Sequence, residues 1–447
     1  MKSLSSVSAG SRRLAAIVGG AALVLGAAAI VPAAASPSPA SPGPAQAAPA
    51  ATATRPGWVA SWAASPMAGS TSFSDQTVRN IVYTSVGGSS LRVQVSNTFG
   101  SAPLSVGEVS VGVVLDGAQL VPGTSHPLTF GGKTATTIPA GAQVLSDPLR
   151  MTVQPLTELA ISLYLPTATG GATNHSDAQQ NNYIAAGDHA GDAAATAYST
   201  VTGSWYFADG LDVYSATADG TVVAFGDSIT DGYQSLTGAD ARWPNYLARR
   251  LNAVLGDSAP GVVDEGISGN RVLSSSTCYG VSAESRFERD ALSQPGVKAV
   301  IFLEGINDIG FAGMPDSGCS DPNNPDVTAA QIEAGYRYLI GLAHARGVKI
   351  YAGTLMPFAG SNRVYGGYFG TAYGEALREQ VNTWIRTSGA FDGVIDFSTL
   401  TQDPYDPQYL NPVYVANSAS ASLSDGLHPN DVGYEAMANA IPLGFVR

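Results

Sequence analysis

The hydrophobic texture of this chain changes once, just past residue 215, and that change limits the folds open to it more than any other feature. From Trp58 to about Ser215 apolar and polar residues alternate in short runs: Leu91, Val93 and Val95 around Arg92, Gln94 and Ser96; Val109, Val111 and Val113; Leu159, Ile161, Leu163 and Leu165. A two-residue period turns one face of an extended strand to a core and the other to solvent. Gly, Ser and Pro punctuate the runs, and no helical period intervenes. Residues 55–217 are therefore expected to form an all-β sandwich, jelly-roll-like, as an accessory domain. From about residue 218 onward the strands are continuous apolar runs, as in Thr221–Phe225, Val262-Val263 and Val297–Leu303, with Val348–Tyr351 and Phe391–Phe397 read as further strands. Helical stretches separate them: Trp243–Leu255 with Pro244 in its first turn, Thr328–Arg346 stopped by Gly347, Tyr373–Arg386, and Val432–Ala440 at the end. Such alternation predicts a parallel sheet with helices on both faces over residues 218–447, and a ligand site at the C-terminal ends of its strands.

The N-terminus reads as an export signal. Lys2, Arg12 and Arg13 precede an uncharged run from Leu14 to Val31, and Ala33-Ala34-Ala35 supplies small residues for cleavage. Residues 1–35 are expected to be a signal peptide, using the general secretory or the twin-arginine route, rather than a membrane anchor. Residues 36–54 carry Ala, Pro and Ser without one charge and suit an extended tether.

Charge narrows the partners. The 35 acidic and 22 basic residues give a net −13, and losing Lys2, Arg12 and Arg13 with the leader leaves 35 against 19, or −16. A nucleic acid is excluded as a general partner, and an anionic membrane surface is disfavoured. Five histidines fall far apart, and neither CxxC nor HExxH spacing occurs, so neither a metal nor another cofactor is expected. Cys278 and Cys319 are an even pair in a chain bound for an oxidising compartment and are expected to form one disulfide, worth about 4 kcal/mol on the chain-entropy account.

Four short segments carry possible chemistry. Gly226-Asp227-Ser228-Ile229-Thr230-Asp231-Gly232 follows a strand directly, so a tight turn would hold Ser228 at the sheet edge. Asp425-Gly426-Leu427-His428-Pro429 precedes the last helix, with Asp425 placed to reach back to the imidazole of His428. A serine hydroxyl attacks only when an imidazole takes its proton, and the imidazole needs a carboxylate on its other nitrogen. Gly269 and Asn307 lie in segments that follow strands and could donate N–H groups to an oxyanion beside the Ser228 amide. Taken singly, each segment is equally ordinary loop chemistry, with Asp227, Asp308 or Asp425 bonding nearby amides. The Tyr365-Gly366-Gly367-Tyr368-Phe369 stretch reads as loop packing ahead of stacking on a sugar or aryl group. Gly131-Gly132-Lys133-Thr134 is no phosphate loop, since Pro127 stands where its first glycine must be.

Together, and in this order, the four segments resemble the SGNH, or GDSL, hydrolases over residues 219–447. The resemblance implies a flavodoxin-like α/β/α domain, Ser228 as nucleophile, His428 as general base and acid, Asp425 as its orienter, and Ser228, Gly269 and Asn307 as the oxyanion hole. Asp264-Glu265 departs from the Asn that many relatives carry there. The segment beginning Trp58-Val59-Ala60-Ser61-Trp62-Ala63 looks like the β-domain of secreted actinobacterial esterases. The implied activity is hydrolysis of carboxylic esters; short acyl groups are preferred because no apolar lid helix is visible near the motifs and the mature chain is strongly acidic, and a monomer is expected. A polysaccharide-directed deacetylase, a feruloyl esterase and a lipase or phospholipase are its neighbours in class. A carbohydrate- or cell-wall-binding protein with an inactive hydrolase domain is the reading from another class.

Overall fold

The structure is a computed structural model that describes residues 57–314, 318–319, 324–415 and 425–447. The expected signal peptide and tether lie outside the described residues.

The alternating runs become antiparallel strands. One sheet has the order Tyr198–Thr202, Asn182–Ala186, Gln76–Tyr83, Glu158–Leu165, Glu108–Asp116 and Gln119–Leu120, with His126–Pro127 also on Glu108–Asp116. A second sheet has the order Gly57–Ala63, Ala208–Ser215, Leu91–Ser96 and Gln143–Leu145. The apolar positions of the period go inward: Val78, Val82, Leu91, Val93, Val95, Val109, Val111, Ile161 and Leu163 share one buried cluster drawn from both sheets. Arg92 and Gln94, between them, stay half-exposed. This part is largely β-strand, and no helix occurs in it among the described residues.

The second part is a five-stranded parallel sheet. Its order is Gly261–Gly266, Thr221–Gly226, Val297–Leu303, Lys349–Gly353 and Gly393–Ile395. In chain order this is 2-1-3-4-5, the flavodoxin-like arrangement, whose switch point lies between the first and third strands. Helix Trp243–Leu255 packs with Asp431–Ala440, and helix Ala329–Ala345 with Ala372–Thr387. Local chemistry sets the ends: Thr328 and Gln331 close a capping box on Ala329–Ala345, and Trp243–Leu255 carries Pro244 in its first turn.

One expected strand is shorter. The run Phe391–Phe397 gives a strand only over Gly393–Ile395, followed by the helix Phe397–Thr401. Asp396 ends the strand because its carboxylate accepts from the Thr399 amide, which makes it the cap of that helix. Its apolar neighbours leave no trace of this in the hydrophobic pattern.

The two parts share one compact unit. Strand Gly57–Ala63 is the reason: Val59 and Trp62 bury in the β-part cluster, while Ala60 and Ala63 bury in the cluster of the parallel sheet. The Ala60 amide meets Thr221 Oγ1 at 3.0 Å and the Pro295 carbonyl at 3.2 Å. Small side chains at Ala60 and Ala63 permit that approach. Among the described residues no helix is long and apolar enough to cross a membrane.

Candidate active site

The first strand ends at Gly226, and the chain turns at once into the one-turn helix Ser228–Asp231, capped by Asp227 through the Ile229 amide. Asp227 therefore does serve as local turn chemistry. Gly226 is required by crowding: a Cβ there would stand 2.2 Å from the Leu303 carbonyl oxygen and 2.4 Å from Thr230 Oγ1. Ser228 is held at the C-terminal edge of the sheet, at the switch point.

His428 arrives from the far end of the chain. Ser228 Oγ lies 2.8 Å from His428 Nε2, and His428 Nδ1 lies 2.7 Å from Asp425 Oδ2. Asp425 is fixed by five donors: the Leu427 and His428 amides reach Oδ1 at 2.8 and 2.9 Å, while Oδ2 accepts from His428 Nδ1, Gln234 Nε2 at 2.6 Å and Tyr365 OH at 2.8 Å. Burial alone would raise its pKa, but the His428 hydrogen bond and charge, with the backbone donors, outweigh burial and hold the carboxyl well below the usual range. An acceptor that stays ionised fixes the Nδ1–H tautomer and leaves Nε2 free to take the Ser228 proton.

Gly269 and Asn307 reach the same place from the second and third strands. Ser228, Gly269, Asn307 and His428 all line one cavity of about 230 Å³. Gly269 has φ of +79°, and a Cβ there would lie 2.3 Å from the Tyr279 ring, so the turn requires glycine. Asn307 Nδ2 donates to the Asn270 carbonyl at 2.9 Å, which orients the amide and leaves its second N–H available. Asp308 accepts from the Val272 and Leu273 amides at 2.8 and 3.0 Å, tying the loop after the second strand to that after the third. The disulfide joins Cys278 and Cys319, with Cα atoms 4.9 Å apart.

Asp264 and Glu265, the departure noted in the sequence, face inward. Glu265 Oε2 accepts from Ser65 Oγ at 2.6 Å, its Oε1 from Gln294 at 2.8 Å, and Asp264 Oδ1 accepts from the Gly266 amide at 3.0 Å. Burial pushes Asp264 up to about 7.

Several residues at the site carried no usable signal in the sequence. Arg286, fully buried, donates to the Gly226 and Glu265 carbonyls at 2.8 and 2.7 Å, to Asn270 Oδ1 at 2.9 Å and to Ser65 Oγ at 2.9 Å. One guanidinium thus binds the ends of the first two strands to each other and to the β part. The Tyr233 ring packs edge-on against the His428 ring at 4.7 Å. Tyr365 belongs to the Tyr-rich stretch read as loop packing; it does pack on Phe369, yet its hydroxyl also contacts Asp425. From the β part, His175 Nε2 lies 3.0 Å from Asp231 Oδ1, and Asp177 lines the cavity itself.

An α/β domain of 2-1-3-4-5 order with a Ser–His–Asp array at its switch point has the SGNH/GDSL hydrolase fold. Residues 224–436, a little under half of the chain, match the GDSL-like Lipase/Acylhydrolase family, which supports a GDSL-like hydrolase domain in the C-terminal half. No curated protein matches the sequence. Solved structures similar to it include a GDSL-like lipase from Bacteroides thetaiotaomicron, 17% identical, covering 51% of this chain and 88% of that one, with a TM-score of 0.36. A variant of an acetyl xylan esterase from Geobacillus stearothermophilus is 21% identical, covering 50% and 93%, with a TM-score of 0.35. An alpha/beta hydrolase enzyme from the metagenome of Lake Arreo, Spain, is 20% identical, covering 52% and 98%, with a TM-score of 0.36.

Proposed function

We propose that the protein is a secreted serine hydrolase that cleaves carboxylic esters of short acyl chain through an acyl-enzyme intermediate. The observation that carries this is the continuous array Ser228 Oγ, His428 Nε2, His428 Nδ1 and Asp425 Oδ2, with contacts of 2.8 and 2.7 Å. In the first step Ser228 Oγ attacks the ester carbonyl carbon as Nε2 takes its proton. Asp425 stays ionised and stabilises the imidazolium that forms. The carbonyl oxygen gains negative charge as the tetrahedral intermediate forms, and the Ser228 and Gly269 amides and the free N–H of Asn307 are the donors for it. His428 then protonates the leaving alcohol, which breaks the C–O bond and leaves the acyl group on Ser228. Water enters, gives its proton to His428 and repeats the sequence, releasing the acid and restoring Ser228.

The preference for short acyl groups rests on the cavity: about 230 Å³ is below the roughly 300–1,000 Å³ of pockets that enclose drug-sized ligands. Export rests on the leader sequence and the oxidised cysteine pair, and an even, single bridge suits that compartment. One observation favours a second reading, an esterase acting on sugar or aryl esters: Tyr233, Tyr279, Phe311, Tyr365 and Phe369 line the cavity, and Tyr279 stacks on Phe311 at 5.0 Å.

The test is hydrolysis of p-nitrophenyl acetate, butyrate, octanoate and palmitate, with methyl ferulate alongside, by the protein and its Ser228→Ala variant. Acetate and butyrate are expected to be cleaved fastest, with kcat/KM lower by about a thousandfold in Ser228→Ala. Turnover untouched by that change would remove the acyl-enzyme route, and a maximum at palmitate would replace the esterase by a lipase.

A further inference from the structure

Among the described residues the β part enters the cavity through a single segment, and the way that segment is held gives it a role. Strand Thr173–His175 carries His175 into the seam between the two parts, where it is fully enclosed. Its Nε2 meets Asp231 Oδ1 at 3.0 Å and its Nδ1 the Ser65 carbonyl at 3.0 Å. Asp231 ends the one-turn helix that Ser228 begins, and its other oxygen accepts from the Ser268 amide at 3.1 Å and hydroxyl at 2.9 Å, one residue before Gly269. Just past His175, Arg242 donates to the Asp177 carbonyl at 3.5 Å and to the Ala178 carbonyl. The backbone on either side of Asp177 is thereby pinned against the catalytic half, and its side chain is presented to the cavity.

Asp177 is the one carboxylate among the described residues that line this cavity, and the remaining wall is the five aromatic rings with Leu427, Ser268 and the reacting groups. Gln179 Nε2 donates to it at a long 3.5 Å, and the Ser268 hydroxyl, which also meets Asp231, is its partner within the wall. Burial, with the charge of Asp231 behind it, holds the carboxyl above its ordinary value. A carboxyl in that condition gains most from a further hydrogen-bond donor, and the free space in front of it is where substrate lies. Aromatic faces beside an acceptor suit an aliphatic skeleton that carries hydroxyls.

We infer that Asp177 is a specificity-determining residue supplied by the β part, which selects esters with a free hydroxyl close to the ester bond, that is, partly acylated polyols or sugars. The inference rests on the esterase reading and deepens it. It also assigns the β part a share of the pocket rather than a detached binding role.

The experiment compares two uncharged acetates that differ only in hydroxyls, glycerol 1-monoacetate and propyl acetate, on the full chain. The unaltered protein is expected to prefer the monoacetate by about tenfold or more in kcat/KM, the value of a hydrogen bond to a charged group. Asp177→Ala is expected to bring the ratio below about threefold, and Asp177→Asn, which keeps one acceptor oxygen, to an intermediate value. Melting curves identify any variant that fails to fold; if Asp177→Ala does, Asp177→Asn decides. A ratio near one in the unaltered protein, or a ratio unchanged in the folded variants, would overturn the assignment. So would a preference for acetylcholine over its uncharged isostere 3,3-dimethylbutyl acetate that exceeds the monoacetate ratio, since Asp177 would then read a cation. Failure of the esterase reading looks different: both acetates would be untouched, or Ser228→Ala would still cleave them.

Discussion

Two buried histidine–aspartate pairs stand among the described residues, one at the edge of the parallel sheet and one in the seam with the β part. His428–Asp425 and His175–Asp231 have contacts of 2.7 and 3.0 Å, and all four side chains are almost wholly buried. They differ in what the second imidazole nitrogen faces. In His428 it meets the Ser228 hydroxyl beside an open cavity; in His175 it meets the Ser65 carbonyl inside the protein. A carbonyl has no proton to give, so His175 is held with both nitrogens occupied and serves as a strut. The pair alone is therefore no sign of catalysis; the group on its far side and access to substrate decide it.

Breaking the two histidines in parallel is the largest expected contrast. With p-nitrophenyl acetate, His428→Asn should lower kcat by about a thousandfold or more, whereas folded His175→Asn should stay within about tenfold of the unaltered protein. Equal losses would mean that both imidazoles act in the reaction. Next comes Asp425→Asn, which leaves a neutral amide that can favour the wrong imidazole tautomer; kcat is expected to drop by about a hundredfold or more. The stability contrast runs the other way. His175→Asn leaves Asp231 buried without its partner and should cost about 3 kcal/mol in urea unfolding near pH 6.

That cost has a pH signature. Burial alone would lower the pKa of His175, but the charge and hydrogen bond of Asp231 outweigh it and leave the value raised. A group whose folded pKa stands above its unfolded one binds its proton more tightly in the native state. Its contribution is thus fully present below the unfolded value, about 6.5, and is lost as pH rises through the folded value. The gap between the unaltered protein and His175→Asn, followed by unfolding midpoints across pH, should narrow in that direction; a gap that widened would mean the histidine is buried neutral. The smallest effect is expected at Tyr365→Phe, which removes one of the donors on Asp425 Oδ2. It should lower kcat by about threefold to tenfold with little change in KM, whereas a residue that only packed would move KM or the melting temperature instead.

Much of the catalytic half was legible because its signals are local. The apolar run Val297–Leu303 is a strand over those same residues, and Trp243–Leu255 is a helix over those same residues, since each carries its own hydrophobic pattern and the helix has Pro244 in its first turn and Gly256 just past its end. The segment of Asp425 and His428 was legible for the same reason: a three-residue separation lets one side chain reach the other within a single loop. Arg286, Gln234 and Tyr365 gave no such signal. Their partners lie 60, 191 and 60 residues away in the chain, and a lone arginine, glutamine or tyrosine looks the same in a loop, a core or a site. The turn at Asp396 was hidden because one capping side chain, and no change in hydrophobic period, decides where that strand gives way to a helix.

By itself the sequence determined the two textures, the order of strands and helices, and the residue types that an acyl transfer needs, because periodicity and short-range hydrogen bonding act within a few residues. Only the tertiary structure decided that Ser228 and His428, 200 residues apart, stand 2.8 Å from each other. It alone decided that strand Gly57–Ala63 divides its faces between two cores, and that Asp177 of the β part borders the cavity. Those placements come from parallel pairing and from packing across the seam, which join segments far apart in the chain and therefore leave no pattern in any single stretch of it.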